Sequence, residues 1–219
     1  MSERNVTFSE GEFYHVYNRG NSKQVIFNSN EDYSRFVRLM YLSNSQRSFK
    51  IEYLQRPNFL FERGEPLVAI GAYCLMPNHF HMLITPLVQN GVSKYMQKLA
   101  TGYSMFYNSK YERTGVLFEG KFKARHADTD EYLKYLYAYI HLNPVKLIDP
   151  TWKETGTKDA VAAYEYTVKY PYSSLQDYVG IVREEGDILD QKSFPEYFTP
   201  HKNIKNELFE WLEFTPDIL

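Results

Sequence analysis

Phe13 to Arg19 alternates aromatic and polar residues (Phe-Tyr-His-Val-Tyr-Asn-Arg) and runs into Gly20-Asn21, the pattern of a strand ending in a turn. Ser29 or Asn30 can cap a helix with Glu31 and Asp32 in its first turn. Its spacing sets Tyr33, Phe36, Val37, Met40 and Tyr41 on one face, as far as Ser45. Arg56 to Pro66, with its Pro and Gly, reads as a loop. Leu67 to Leu75 then predicts a buried strand, and Pro77-Asn78 separates it from a second, antiparallel one over His79 to Thr85. From Val92 to Glu112, Tyr95, Leu99, Tyr103, Phe106 and Tyr107 recur at helical spacing, with Gly102 as the weak point. Gly115 to His126 returns to alternation and predicts a strand or ribbon. Asp128 or Thr129 can cap a further helix with Tyr132, Leu133, Leu136, Tyr139 and Ile140 on one face, ending near Asn143 because Pro144 follows.

Strand, helix, strand, strand, helix, strand, helix is the order of an α+β fold, a split βαβ (ferredoxin-like) sandwich with helices packed on an antiparallel sheet. Asp149-Pro150 is the expected boundary between a main domain, residues 1–149, and an ancillary C-terminal region, residues 150–219. There is no internal repeat or low-complexity tract.

Composition narrows the class. With 219 residues and 43% apolar content the chain can build a core, which excludes disorder as its main state. The single Cys74 excludes an internal disulfide framework and a cysteine-rich zinc module, and fits a reducing compartment. Met1 to Glu10 lacks the basic-then-apolar order of a signal peptide, and the longest apolar run, Leu67 to Met76, is about half a bilayer span. A soluble, cytoplasmic protein with no membrane partner is expected. A formal charge of −2 argues against coating nucleic acid by bulk charge, but the distribution is uneven: Lys94 to Arg125 carries a net +5, and Glu184 to the end a net −6. That asymmetry suggests a cationic working face and an acidic region turned elsewhere.

Two constellations could carry chemistry. His79 and His81 flank Phe80, so on a strand they share a face, about 7 Å apart, as two ligands of one metal ion would. The same pattern also suits two partly exposed strand histidines. Tyr139 and Asn143 lie one helical turn apart, offering a hydroxyl that can attack phosphorus and a carbonyl oxygen for a cation. Tyr132, Tyr135 and Tyr137 on the same helix show that a tyrosine here can equally be packing.

The words around these residues are more specific. Tyr14-His15-Val16 with Asn18-Arg19-Gly20, Met76-Pro77-Asn78-His79-Phe80-His81, Gly115 to Lys123 (Gly-Val-Leu-Phe-Glu-Gly-Lys-Phe-Lys) and Tyr139-Ile140-His141-Leu142-Asn143-Pro144-Val145 follow one another in order. In this the chain resembles the single-tyrosine transposases of the His-hydrophobe-His nuclease class, especially the subgroup associated with repetitive extragenic palindromes. The resemblance covers Phe13 to Leu147 and continues more weakly through Tyr170-Pro171-Tyr172-Ser173-Ser174. It implies a metal site formed by His79, His81 and Asn143, a nucleophile at Tyr139, and Mg2+ or Mn2+ as the metal. Ligand softness alone would favour zinc or another imidazole-preferring ion. The family often has Arg where this chain has Lys121, which neutralises a phosphate without the bidentate fork.

The implied reaction is attack of Tyr139 on a backbone phosphate, leaving a 5′-phosphotyrosine and a free 3′-hydroxyl. A phenol with an ordinary pKa near 10, placed at a helix C-terminus, needs help from a metal to do this. Single-stranded DNA beside a hairpin is the expected substrate. Arg19, Lys121, Lys123 and Arg125 are the candidate DNA-binding residues, the last three on one strand face, while His15, His126, His141 and His201 are expected to be structural or solvent-facing. The protein is expected to act as a monomer or a homodimer. Two other readings stay open: a non-catalytic module that binds DNA or RNA hairpins, and a hydrolase in which the histidines activate water.

Overall fold

The alternating segment forms β1 (Phe13–Arg19), the unbroken apolar run forms β2 (Val68–Met76), and the histidine segment forms β3 (His79–Pro86). A short fourth strand, β4 (Lys123–Ala127), completes a sheet of order β2-β3-β1-β4 in which every neighbouring pair is antiparallel. The computed structural model describes residues 6–48, 59–196 and 204–213. The start of the expected Arg56 loop and the readings of Pro200 and His201 lie outside the described residues.

Helix α1 (Asn30–Ser43) carries the chain from β1 to β2, and α2 (Gly91–Lys110) carries it from β3 to β4, so each connection steps over one strand. Both helices lie on one face. Tyr14, Val16, Phe80, Met82 and Ile84 from the strands meet Phe36, Leu39 and Met40 of α1 and Tyr95, Leu99 and Tyr103 of α2 there in one buried cluster. Gly102 is where the two helices draw together: a Cβ would stand 3.3 Å from Leu39 Cδ2. Asp32, fully buried at the start of α1, accepts from the N–H groups of Asn28 (2.8 Å) and Ser29 (3.0 Å) and from Lys110 (2.7 Å) and Tyr111 (2.7 Å) of the α2 end. Burial pushes its carboxyl up, but these donors outweigh that and hold it below its ordinary value.

The opposite face is covered by α3 (Asp130–His141), capped by the Thr129 side chain, which accepts from the Tyr132 N–H. After a 3₁₀ turn over Asn143–Leu147, α4 (Trp152–Thr155), α5 (Ala160–Lys169), α6 (Leu175–Tyr178) and α7 (Ile204–Glu213) pack behind it. Trp152, Ala163, Tyr178, Leu208 and Leu212 share a second cluster with Ala72, Cys74 and Leu83 of the sheet. β2 serves both clusters, and a bulge between Ile70 and Ala72 switches which residues face which side.

Two expectations are corrected. The strand expected over Gly115 to His126 survives only as Lys123–Ala127, because Gly115 (φ 86°) and Gly120 (φ 68°) adopt left-handed backbone; Phe118 makes an isolated bridge to Gly20. Lys121 therefore lies before the strand, and the shared cationic strand face is Lys123 and Arg125. On α3 the buried residues are Leu133, Leu136, Tyr137, Ala138, Ile140 and His141, with Tyr132 and Tyr139 only partly covered. The helix is enclosed by the sheet on one side and the later helices on the other, which widens and rotates its apolar face. No helix among the described residues is long and apolar enough to cross a membrane.

Candidate active site

Antiparallel pairing of β1 with β3 places Tyr17 opposite His81 and Arg19 opposite His79. Since strand side chains alternate, His15, Tyr17, His79 and His81 emerge together beneath α3. His79 and His81 rings lie 5.0 Å apart, edge to face, and His81 meets the Tyr139 ring at 5.4 Å, also edge to face. His15 stacks on His81 at 5.0 Å and is 5.8 Å from Tyr139; its Nε2 and His81 Nδ1 share a hydrogen bond of 2.8 Å. With the proton on His81 Nδ1, His81 Nε2 stays free to act as a ligand. His79 is oriented by Asn78, whose Oδ1 is 2.6 Å from His79 Nδ1.

Asn143 follows α3 directly, at the first position of the 3₁₀ turn that Pro144 initiates. It is fully buried, and its carboxamide is close enough to favour protonated His79 and ionised Tyr139. Yet neither its Oδ1 nor its Nδ2 is aligned to hydrogen-bond any described protein atom. An unpartnered buried amide is costly unless something else completes it. Two imidazoles and an amide oxygen fit a divalent cation in that respect, although no three His, Cys, Asp or Glu side chains gather into a metal cluster among the described residues.

The electrostatics keep these imidazoles neutral. Burial, then the charge of Lys146, brings His79 down to about 4; burial, then Lys153 and Arg125, does the same for His15. His81 is held well below its ordinary value by burial and by its two histidine neighbours. Tyr139 is raised by burial, with Asn143 pulling the other way. Lys153, from α4, lays its Nζ 3.4 Å from the centre of the Tyr139 ring, and burial, then Lys146, lowers it to about 7.

The basic residues divide. Lys123 and Arg125 are exposed on β4 opposite Tyr17 and His15, so they border the histidine face one strand away, with Arg125 over the Tyr132 ring at 4.4 Å. Lys121 is exposed on the preceding loop. Arg19 is engaged: its Nε and one terminal nitrogen donate to the two oxygens of Glu119, which lies half-exposed beside it. His141 turns away into the second core, where its Nε2 is 2.7 Å from Ser174 Oγ. His126 pairs with Glu12 at the sheet edge. Sequence reasoning missed His15, Tyr17, Lys146 and Lys153 as neighbours of the site. Alternation of His15 with Tyr17 and Arg19 was the available signal for the first two, and nothing in the sequence pointed to Lys153.

Residues 64–143 match the family model for IS200-like transposases, a span that contains His79, His81 and Tyr139 and ends on Asn143. No curated protein matches the chain. A solved structure described as a REP-associated tyrosine transposase bound to a REP hairpin shares the fold: TM-score 0.52 and 13% identity, over 90% of this chain and 98% of that one. The chain thus matches the IS200-like transposase model over residues 64–143, and over most of its length it shares the fold of that solved structure.

Proposed function

We propose that this protein is a DNA-processing transposase that cleaves and rejoins single-stranded DNA beside a hairpin, with Tyr139 as nucleophile and His79, His81 and Asn143 as holders of Mg2+ or Mn2+. The observation that carries the reading is the meeting of Tyr139 with His81 at 5.4 Å next to the buried, unpartnered carboxamide of Asn143. The hairpin bound by the structural relative supports the choice of substrate.

A divalent cation at the histidines would supply charge that polarises the scissile phosphate and offsets negative charge on its oxygens. The chain's own residues do the rest. In cleavage the Tyr139 oxygen forms a bond to phosphorus while the bond from phosphorus to the 3′ oxygen breaks, and the phenolic proton ends on that departing oxygen. The product is a 5′-phosphotyrosine, and because one phosphoester replaces another, a new 3′-hydroxyl can reverse the step without ATP. Neutral His79 and His81 keep their ring lone pairs available as ligands, and α3 holds the phenol against them. Lys123 and Arg125 receive backbone phosphates along the open edge, with Lys121 beyond them and Arg19 available once it releases Glu119.

The test is a denaturation-stable adduct with hairpin-bearing single-stranded DNA from the flanking sequence. Wild-type protein should form it in Mg2+ or Mn2+, peptide mapping should place it on Tyr139, and Tyr139→Phe should lose it entirely while still binding the hairpin. An adduct retained by Tyr139→Phe or mapped elsewhere refutes the nucleophile. Hairpin binding with no adduct in any divalent cation would favour a purely DNA-binding role.

A further inference from the structure

Lys153 lies beyond the segment that matches the transposase family, on the short helix α4. Its neighbour Trp152 is buried in the second core cluster and anchors that helix beneath the site, while the Glu154 and Thr155 N–H groups donate to Thr151 O. So fixed, the lysine reaches the face of Tyr139 at 3.4 Å, and among the described residues no carboxylate engages it in an ion pair. Brought down to about 7, the amine is an ammonium only below that value, and a half-buried ammonium without a carboxylate partner is costly to keep there unless the charge meets something else.

We propose that Lys153 is a positioning residue for Tyr139, holding the phenol ring beside the histidine pair and offsetting negative charge on the tyrosyl oxygen as its bond to phosphorus forms and breaks. This rests on Tyr139 being the nucleophile. A cation on an aromatic face is attracted by the ring's electron density, and more strongly as the phenol gains negative charge. The other groups that face Tyr139 do not supply that charge. His15 and Tyr17 come from β1, His79 and His81 from β3, Cys74 from β2 and Tyr135 from α3 itself; none of these is a lysine or arginine, and burial keeps the three histidines neutral. The C-terminal end of α3 opposes negative charge on the oxygen. Lys146 and Glu154 are the charged groups facing Lys153 in turn. In rejoining, where the bond from phosphorus to Tyr139 breaks as the incoming 3′ oxygen bonds to phosphorus and passes its proton to the phenol, the lysine favours the departing tyrosine.

The experiment compares full-length wild type with Lys153→Met, which keeps the stem and removes the charge, and Lys153→Arg, which restores the charge. Adduct formation is followed in single turnover at saturating hairpin DNA, hairpin affinity is measured separately, and a fluorine-labelled tyrosine at position 139 reports the ring's surroundings without DNA. A desolvated cation–π contact predicts that Lys153→Met slows adduct formation about 30-fold. Lys153→Arg should recover most of that rate, hairpin affinity should stay within about threefold, and the fluorine resonance should move in Lys153→Met and return in Lys153→Arg. A wild-type rate in Lys153→Met, or a Lys153→Arg protein as slow as Lys153→Met, overturns the proposal. If wild type forms no adduct, Tyr139 is not the nucleophile, and the fluorine resonance alone decides the contact: an unmoved signal in Lys153→Met overturns it.

Discussion

The two faces of the sheet are built from one set of strands and serve different ends. Toward α1 and α2 the strands present Tyr14, Val16, Phe80, Met82 and Ile84, all buried, and that side's conspicuous buried charge, Asp32, has four donors. Toward α3 the same strands present His15, Tyr17, His79 and His81, with an unsatisfied Asn143 above them. One face spends its contacts on stability. The other gathers polar side chains, among them an Asn143 amide with no hydrogen-bond partner among the described residues, and alternation along two strands is enough to make that difference.

Mutation should separate the faces, and the largest effect belongs to the sealed side. Phe36 is fully buried among Phe27, Phe80 and Tyr103. Phe36→Ala should cost about 3–5 kcal/mol in denaturant unfolding, through lost burial and the cavity left behind. An effect as small as that of a surface substitution would mean that the two faces are not divided as described. Asn143→Leu tests the other side with opposite sign. Replacing an unpartnered buried amide by an apolar group of similar size should raise stability by about 1–3 kcal/mol, measured without added metal, while abolishing cation-dependent adduct formation. A destabilised Asn143→Leu protein would show that the amide is satisfied after all.

The smallest effect is the response to mild acid. Buried neutral histidines lie on the α3 side, His141 among them, lowered to about 3 by burial, with a hydrogen bond to the Tyr137 backbone opposing that. In the unfolded chain His141 takes up a proton near its ordinary value of 6.5, while in the fold it stays neutral. Its contribution is therefore complete above that value and is lost as the pH falls. From pH 7 to pH 6 the loss should be about 0.7 kcal/mol for this one residue, and His141→Gln should flatten the stability curve by that amount. An unchanged slope would show that His141 is protonated in the fold.

How much of this was legible in the sequence depends on range. β1 begins and ends as its alternation predicts, β3 runs one residue past the expected Thr85, and α3 ends at His141, two residues short of the Asn143 expected from Pro144. Alternation assigns a residue to a face but says nothing about which strand lies alongside, so the contact between His15 and His81 was not readable although both faces were. The Gly115 to His126 segment misled for a local reason: its polar-apolar order is strand-like, but Gly115 and Gly120 turn the backbone out of the ladder. Tyr137 was not expected in the core because Tyr178, which packs on it, lies after the expected Asp149 boundary, whereas His141 has the structural place expected of it. Lys153 reaches Tyr139 from that same later segment, through packing that has no local signature.

The pairing of Arg19 with Glu119 bears on how the proposed DNA complex would respond to salt. A free surface arginine that neutralises a phosphate displaces a condensed counterion from the nucleic acid, and each such event steepens the loss of affinity as salt rises. Arg19 already has an anion. For a phosphate to occupy its guanidinium, Glu119 must let go and recover its own cation from solution, so the exchange returns to the duplex stem less net ion release than a count of basic residues would suggest. Glu119 thereby acts as a built-in competitor for the backbone, one that is present at every ionic strength.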